Sequence, residues 1–202
     1  MTGVADHIET DIRERILATA ERLFREIGYT KTTVADIAKL LRMSPANVYR
    51  FFDSKKAIHE GVARRLMGEV EAAAIAITQK QGLSAADKLR ELLTTVNRMN
   101  SERYVDDSKM HEMVAIAMVE SWEVCIAHIE CIIVSFATVI AEGVEKGEFH
   151  VDDVPTAAMC TCTSMVKFFH PQLIAEKKDM PGPTLEQQIE FAIRSLSYRP
   201  PH

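Results

Sequence analysis

The 202-residue chain contains few stretches in which apolar and polar residues alternate with a period of two. Half-buried strands are therefore not expected. No window of about 20 residues is free of charged and polar breaks, so no membrane span is expected. The first residues, MTGVADHIETD, are acidic and lack an apolar centre, which argues against a secretion signal. Four cysteines without such a signal suggest reduced thiols and a cytoplasmic location. No nucleophile elbow, phosphate loop, Ser-His-Asp order or paired-carboxylate motif stands out, so an enzyme is disfavoured. Internal repeats and low-complexity segments are absent as well.

What remains is helical patterning. Long windows carry apolar residues three and four apart, and the expected class is all-α. The stretch TKTTVADIAKLLRMSPANVYRFFDSKK, residues 30–56, reads as two short helices around a tight break. Thr33 is a good N-cap, with Asp36 three residues later. Val34, Ile37, Ala38 and Leu41 leave one apolar face. Ser44 caps the second helix, and Pro45 takes its first position, where a missing N–H does no harm. Val48 and Phe52, four apart, are expected to pack back. Pro45, Ala46, Asn47, Tyr49, Arg50 and Phe51 then point partly outward. This is the helix-turn-helix pattern that enters a major groove. The charge supports it. Net charge is −5, yet residues 1–67 hold 12 Lys+Arg against 9 Asp+Glu, and residues 68–202 hold 12 against 20. Residues 28–65 hold 8 against 3, a local excess of +5 that suits phosphate attraction.

The segment resembles the DNA-binding domain of TetR-type (tetracycline-repressor-like) transcriptional regulators. The matching residues are Phe24, Gly28, Tyr29, Thr32, Thr33, Ile37, Ala38, Met43-Ser44, Val48-Tyr49, Phe52, Ser54-Lys55 and Ala57-Ile58. The match runs from about Asp11 to Met67, a third of the chain, without a gap. Arg42 departs from it, standing where the family usually has Gly. If that position needs a positive φ, a side chain there is strained by about 1 kcal/mol or more. Alternatively the turn takes another conformation and Arg42 reaches a phosphate.

The resemblance implies a DNA-binding domain over 11–67, with its motif at about 33–52, and a helical effector-binding and dimerisation domain over 68–202. It implies a ligand-responsive regulator, most often a repressor, that binds double-stranded operator DNA as a homodimer. The expected DNA-binding residues are Thr33, Arg42, Ser44, Pro45, Ala46, Asn47, Tyr49, Arg50 and Lys55. Lys55 opposes the dipole at its helix's start, which invites a functional reason. The matching family lysine contacts the backbone of DNA. The family pairs its last two long helices, here about Asp153–Ile174 and Thr184–Tyr198. Met165, Phe168, Ile189, Ile193 and Leu196 are the candidates for that interface, although some of them must face the core instead.

Elsewhere, the residues before Thr10 read as an arm, and Asp11 to Ile27 as a helix with a capping box at Asp11 and Glu14. Arg13, Arg22 and Arg25 lie on its polar face, where solvation is favoured over phosphate contact. Further helices are expected from Asp53 or Ser54 to about Gln79, Ser84 to about Asn100, and from about Ser108. Met118–Gly147 follows as a long apolar stretch. A helix capped by Asp153 should kink or divide near His170, before Pro171. A loop spans Ala175–Pro183, and Thr184 caps a last helix that Pro200-Pro201 end.

Cys125-x-x-His128-x-x-Cys131 and Cys160-x-Cys162 carry metal-ligand atoms. They lie inside apolar helices rather than flanking a turn, so buried thiols are favoured over a zinc site. No metal and no cofactor is expected. Met99, Met118, Trp122, Phe136, Met165 and Phe169 are the candidate lining of an apolar pocket for a small effector of unknown identity, with core filling the competing reading. Two other classes stay open: an enzyme or metal-binding protein using the Cys/His residues, and a DNA-binding protein without an effector.

Overall fold

A computed structural model describes residues 3–104, 107–176 and 181–199. The described residues form eleven helices and no strand: α1 (Gly3–Ile27), α2 (Val34–Leu40), α3 (Pro45–Tyr49), α4 (Lys55–Thr78), α5 (Ala85–Tyr104), α6 (Ser108–Glu120), α7 (Trp122–Glu145), α8 (Val154–Ser164), α9 (Val166–Phe169), α10 (Pro171–Glu176) and α11 (Leu185–Ser197). They fall into two compact units. Met1–Leu66 with Asp107–Cys125 form the first, and Met67–Asp106 with Ile126–His202 the second.

In the first unit, α1 buries Ile16, Leu17, Ala20, Leu23 and Phe24. These meet a core to which α2 gives Val34, Ile37 and Ala38, α3 gives Val48, and α4 gives Ile58 and Val62. Helix α1 starts at Gly3, so the expected arm is helix. No proline interrupts it, and Asp11 lies inside it, 3.9 Å from Arg15 rather than capping an end. Helix α6 also belongs here: Asp107 caps it, and Arg25 on α1 reaches Asp107 at 3.5 Å. The long apolar stretch after Met118 is broken at Ser121, whose hydroxyl donates to Glu60 at 2.9 Å.

The second unit is built on a cluster from α4, α5, α7, α8 and α11, with Leu89, Leu92, Leu93, Phe136, Val139, Ile140, Ala158 and Ile189 buried. Helix α7 is long and apolar enough to cross a membrane by length and composition alone. Its Phe136, Val139 and Ile140 are spent on this cluster, which is the role of a core helix. Lys88, only 3% exposed, donates to Thr78 O at 3.2 Å and to both Glu142 oxygens at 3.0 and 2.8 Å. Burial of that ammonium is tolerated because the pair is fully hydrogen-bonded. The free N–H groups of Ala85 and Ala86 opening α5 are taken by Glu148, at 2.8 and 3.3 Å.

After the Asp153 cap the chain stays helical only to Ser164. Met165 breaks it, and His170 is extended (φ −74°, ψ 119°), as the residue before Pro171 must be. Asn97 and Asn100 on α5 donate to the freed carbonyls of Phe168 and Phe169, at 2.7 and 2.9 Å. The expected stop at Pro200-Pro201 and the middle of the loop before Pro183 lie outside the described residues.

Two glycines make an instructive pair. A Cβ on Gly143 of α7 would lie 2.2 Å from the Phe149 ring, whereas one on Gly68 of α4 would meet nothing within 4 Å. Gly143→Ala should cost about 1–3 kcal/mol through overpacking. Gly68→Ala should add up to about 1 kcal/mol through helix propensity. Urea unfolding of the two variants checks the opposite signs.

Candidate nucleic-acid interface

Helix α2 is set by its start. The Thr33 hydroxyl accepts from Asp36 N–H at 3.1 Å, and Asp36 Oδ2 accepts from Thr33 N–H at 2.9 Å. These bonds, the side-chain one foremost, hold the Asp36 carboxyl below its ordinary range. At the other end, Met43 N–H donates to Ala38 O at 2.9 Å and Arg42 N–H to Lys39 O at 3.2 Å. That is a Schellman stop, which needs a left-handed residue just past the cap. Arg42 supplies it with φ 55°, the sole positive φ of a non-glycine among the described residues. The alternative left open by the sequence is thus decided for the strained conformation.

The chain then re-enters helix at once. Ser44 Oγ accepts from Asn47 N–H at 3.1 Å, with Pro45 at the first helical position. Helix α3 has five residues. Val48, fully buried, ties it to the core, while Ser44, Pro45, Ala46, Tyr49 and Arg50 are exposed and Asn47 is half-buried. Thr33 and Arg42 are exposed on the same motif. Eight of the nine expected DNA-binding residues therefore sit on the N-cap of α2, the turn, and α3 with its caps.

Lys55 is set apart at the start of α4. Its ammonium donates to Thr30 O at 3.3 Å and lies 4.2 Å from the Tyr29 ring centroid. Burial pulls its pKa below lysine's ordinary value, with Glu112 and Glu120 opposing. Thr30 is held from its other side by α6, since its N–H donates to Glu112 Oε1 at 3.1 Å and its hydroxyl donates to the same oxygen. Beneath this junction lies His59, fully buried and 4.7 Å from the Tyr29 ring centroid. Its Nε2 bonds Met113 O at 3.1 Å, and Nδ1 has no hydrogen-bond partner among the described residues. Burial, the largest influence, lowers its pKa.

Arg13 is exposed, as the sequence suggests, yet it also donates from Nη1 to Phe51 O at 2.7 Å, and its guanidinium lies 4.6 Å from the Phe52 ring centroid. No local pattern signals a contact across 38 residues.

The candidate effector residues are divided between the two units. Met99, Phe136, Met165 and Phe169 join the core of the second unit, with the Phe136 and Phe169 rings 6.1 Å apart. Met118 and Trp122 belong to the first unit, and Trp122 is 46% exposed. The interface candidates need correction: Met165, Ile189, Ile193 and Leu196 are buried in the core of their own chain, and Phe168 packs partly against it. Met159, Val166, Phe191 and Tyr198 are the exposed large apolar residues of α8, α9, α11 and its C-cap. Among the thiols, Cys125 is buried, Cys131 and Cys162 are half-buried, and Cys160 is exposed, contrary to the buried-thiol reading for that residue. His128 pairs with Glu71 at 2.7 Å. No group of three potential metal ligands occurs among the described residues.

Two short helices with this stop and restart, the second presenting polar groups outward, define a helix-turn-helix DNA-binding protein. Residues 16–62 match the family model of bacterial regulatory proteins, tetR family. Residues 85–190, over half the chain, match that of the tetracyclin repressor-like C-terminal domain. The chain belongs to the TetR family of transcriptional regulators, which are regulators and not enzymes. It is 45% identical over 49 residues to IcaR of Staphylococcus aureus, the negative transcriptional regulator of the biofilm operon icaADBC. That match covers 24% of this chain and spans about a quarter (26%) of the relative's length. The fold matches a TetR/AcrR family regulator of Thermobifida fusca (TM-score 0.61, 22% identity, 94% of this chain and all of that one). It also matches the reduced form of Escherichia coli NemR (TM-score 0.64, 14% identity, 93% and 98%).

The turn generates a test. Arg42→Gly removes the side chain from a left-handed position and should raise the unfolding free energy by about 1 kcal/mol. Equal or lower stability in chemical denaturation would mean that contacts of the arginine offset its strain.

Proposed function

We propose that this regulator is a repressor that reads a two-fold operator in the major groove with α3 and is released by a small, mainly apolar effector. The observation that carries the DNA reading is that Ser44, Pro45, Ala46, Tyr49 and Arg50 are exposed, beside half-buried Asn47, on a helix anchored by buried Val48. The +5 excess over residues 28–65 supplies the attraction. In this reading Asn47 and Arg50 meet base edges or the flanking backbone. Lys55 holds a phosphate with the ammonium hydrogens that Thr30 leaves free. Thr33, Arg42, Ser44, Pro45, Ala46 and Tyr49 frame the contact. The relative IcaR, named a negative regulator and similar in this region, favours repression. The setting would be the cytoplasm, where operator DNA lies.

A single five-residue reading helix offers few base contacts, so two copies are needed. Their reading helices would lie about 34–36 Å apart or a further whole turn. The exposed apolar residues that a second copy would cover are Met159, Val166, Phe191 and Tyr198. Effector release is supported by the Met and Phe side chains gathered around Phe136 in the second unit. It draws too on the continuity of α4, which carries Lys55 near its start and Val62, Leu66 and Val70 along its length. A coupling of about 1–3 kcal/mol would loosen operator binding about 5–150-fold, and operator would weaken effector binding by the same factor.

Duplexes selected by the protein from its source genome test the DNA reading. Lys55→Ala should weaken binding to every duplex alike and lower the salt slope by about 1. Asn47→Ala should relax preference at one operator position, costing about 1–3 kcal/mol there. Unchanged affinity of Lys55→Ala at moderate salt would count against the docking.

Assembly has its own test. Phe191→Glu should give folded monomers in sedimentation, whereas Ile193→Glu should unfold the second unit, because only Ile193 is core. An unmodified protein that is monomeric at micromolar concentration would sink the two-copy proposal.

A further inference from the structure

Helix α3 ends almost as soon as it begins. Beyond Tyr49 the chain turns, with Phe51 N–H and Phe52 N–H both donating to Val48 O, at 3.0 and 3.2 Å. The Phe51 carbonyl, just past the helix, takes its hydrogen bond from Arg13 on α1 at 2.7 Å. The same guanidinium lies against the ring of Phe52, which is itself buried. One planar group thus grips the backbone on one side of a peptide bond and the ring on the other. A lysine at this position would reach one atom less far and offer a point charge in place of the flat fork, so it would not keep this same pair of contacts.

Arg13 also differs from the other arginines of α1. Arg15, Arg22 and Arg25 each lie within 4.0 Å of a carboxylate (Asp11, Glu26 and Glu21), whereas Arg13 forms no ion pair among the described residues. Its partners are a carbonyl and an aromatic ring, both belonging to the segment that closes the recognition helix.

We infer that Arg13 is a positioning residue for sequence recognition: from α1 it fixes the C-terminal end of α3 and so sets where Asn47 and Arg50 meet the bases. The inference rests on the proposed DNA reading and extends it to a residue outside the helix-turn-helix. It separates two effects that an arginine near DNA can have. A phosphate contact strengthens binding to all sequences, while a positioning contact strengthens only the correct one.

The test measures fluorescence anisotropy on two duplexes over a salt series. One is selected by the unmodified protein from a random-sequence pool, and the other is a scramble of equal composition. Arg13→Ala should weaken binding to the selected duplex at least about fivefold. Affinity for the scramble and the salt slope should stay as they were. Arg13→Lys, which keeps the charge and guards against a folding defect, should lose the same preference while its melting temperature stays near that of the unmodified protein. Equal weakening on both duplexes with a slope lower by about 1 would make Arg13 a phosphate contact and overturn the inference. So would full preference in Arg13→Lys, or no change in either variant. If the unmodified protein itself shows no preference for the selected duplex, the DNA reading fails, and the inference falls with it.

Discussion

A helix of five residues cannot hold itself together in water, because nucleation costs more than so few hydrogen bonds return. Everything about the reading head follows from that constraint. Val48 fastens α3 to the core, Ser44 with Pro45 starts it, and the Schellman stop of α2 sets its angle. Arg13 closes its far end from another helix. The strain at Arg42 is the cost of making the turn abrupt enough. The exposed side chains are then displayed by a backbone held at both ends, and such display is what groove recognition requires.

The same first unit contains a second polar junction. Thr30 is gripped by Glu112 of α6 through its N–H and hydroxyl, and by Lys55 of α4 through its carbonyl. Tyr29 and His59 fill the space below, where burial lowers the pKa of the histidine and its ring serves as packing and as a donor to Met113 O. Any displacement of α6 would therefore be felt at Thr30 and at the start of α4. Glu112 and Glu120 also bias Lys55 toward its charged form, which burial opposes.

Local chemistry was legible in the sequence. The caps at Thr33, Ser44, Asp153 and Thr184 depend on a residue and its neighbour three places on, and all four are in place. The division before Pro171 is equally local. What escaped was long-range. Arg13 with Phe51, Glu148 with the start of α5, and Lys88 with Glu142 join residues tens of positions apart, and no spacing rule describes them. Helical periodicity showed that α11 has an apolar stripe but not which surface meets it. Ile189, Ile193 and Leu196 turned out to serve the core, leaving Phe191 outside. The turn at Arg42 was ambiguous as well, since the residue itself does not favour the left-handed conformation and only the glycine usual at that place in the family pointed to it. The effector candidates were chosen by residue type, and type alone does not separate Trp122 in one unit from Phe136 in the other.

The central claim is that DNA meets the protein on α3 and the cap and turn of α2. Amide hydrogen exchange with and without a duplex selected by the protein tests it most directly. The expected result is slowed exchange at Thr33 and across residues 44–50, with α5 unaffected. Slowing confined to the second unit, or none across residues 33–50 under saturating duplex, would contradict the account.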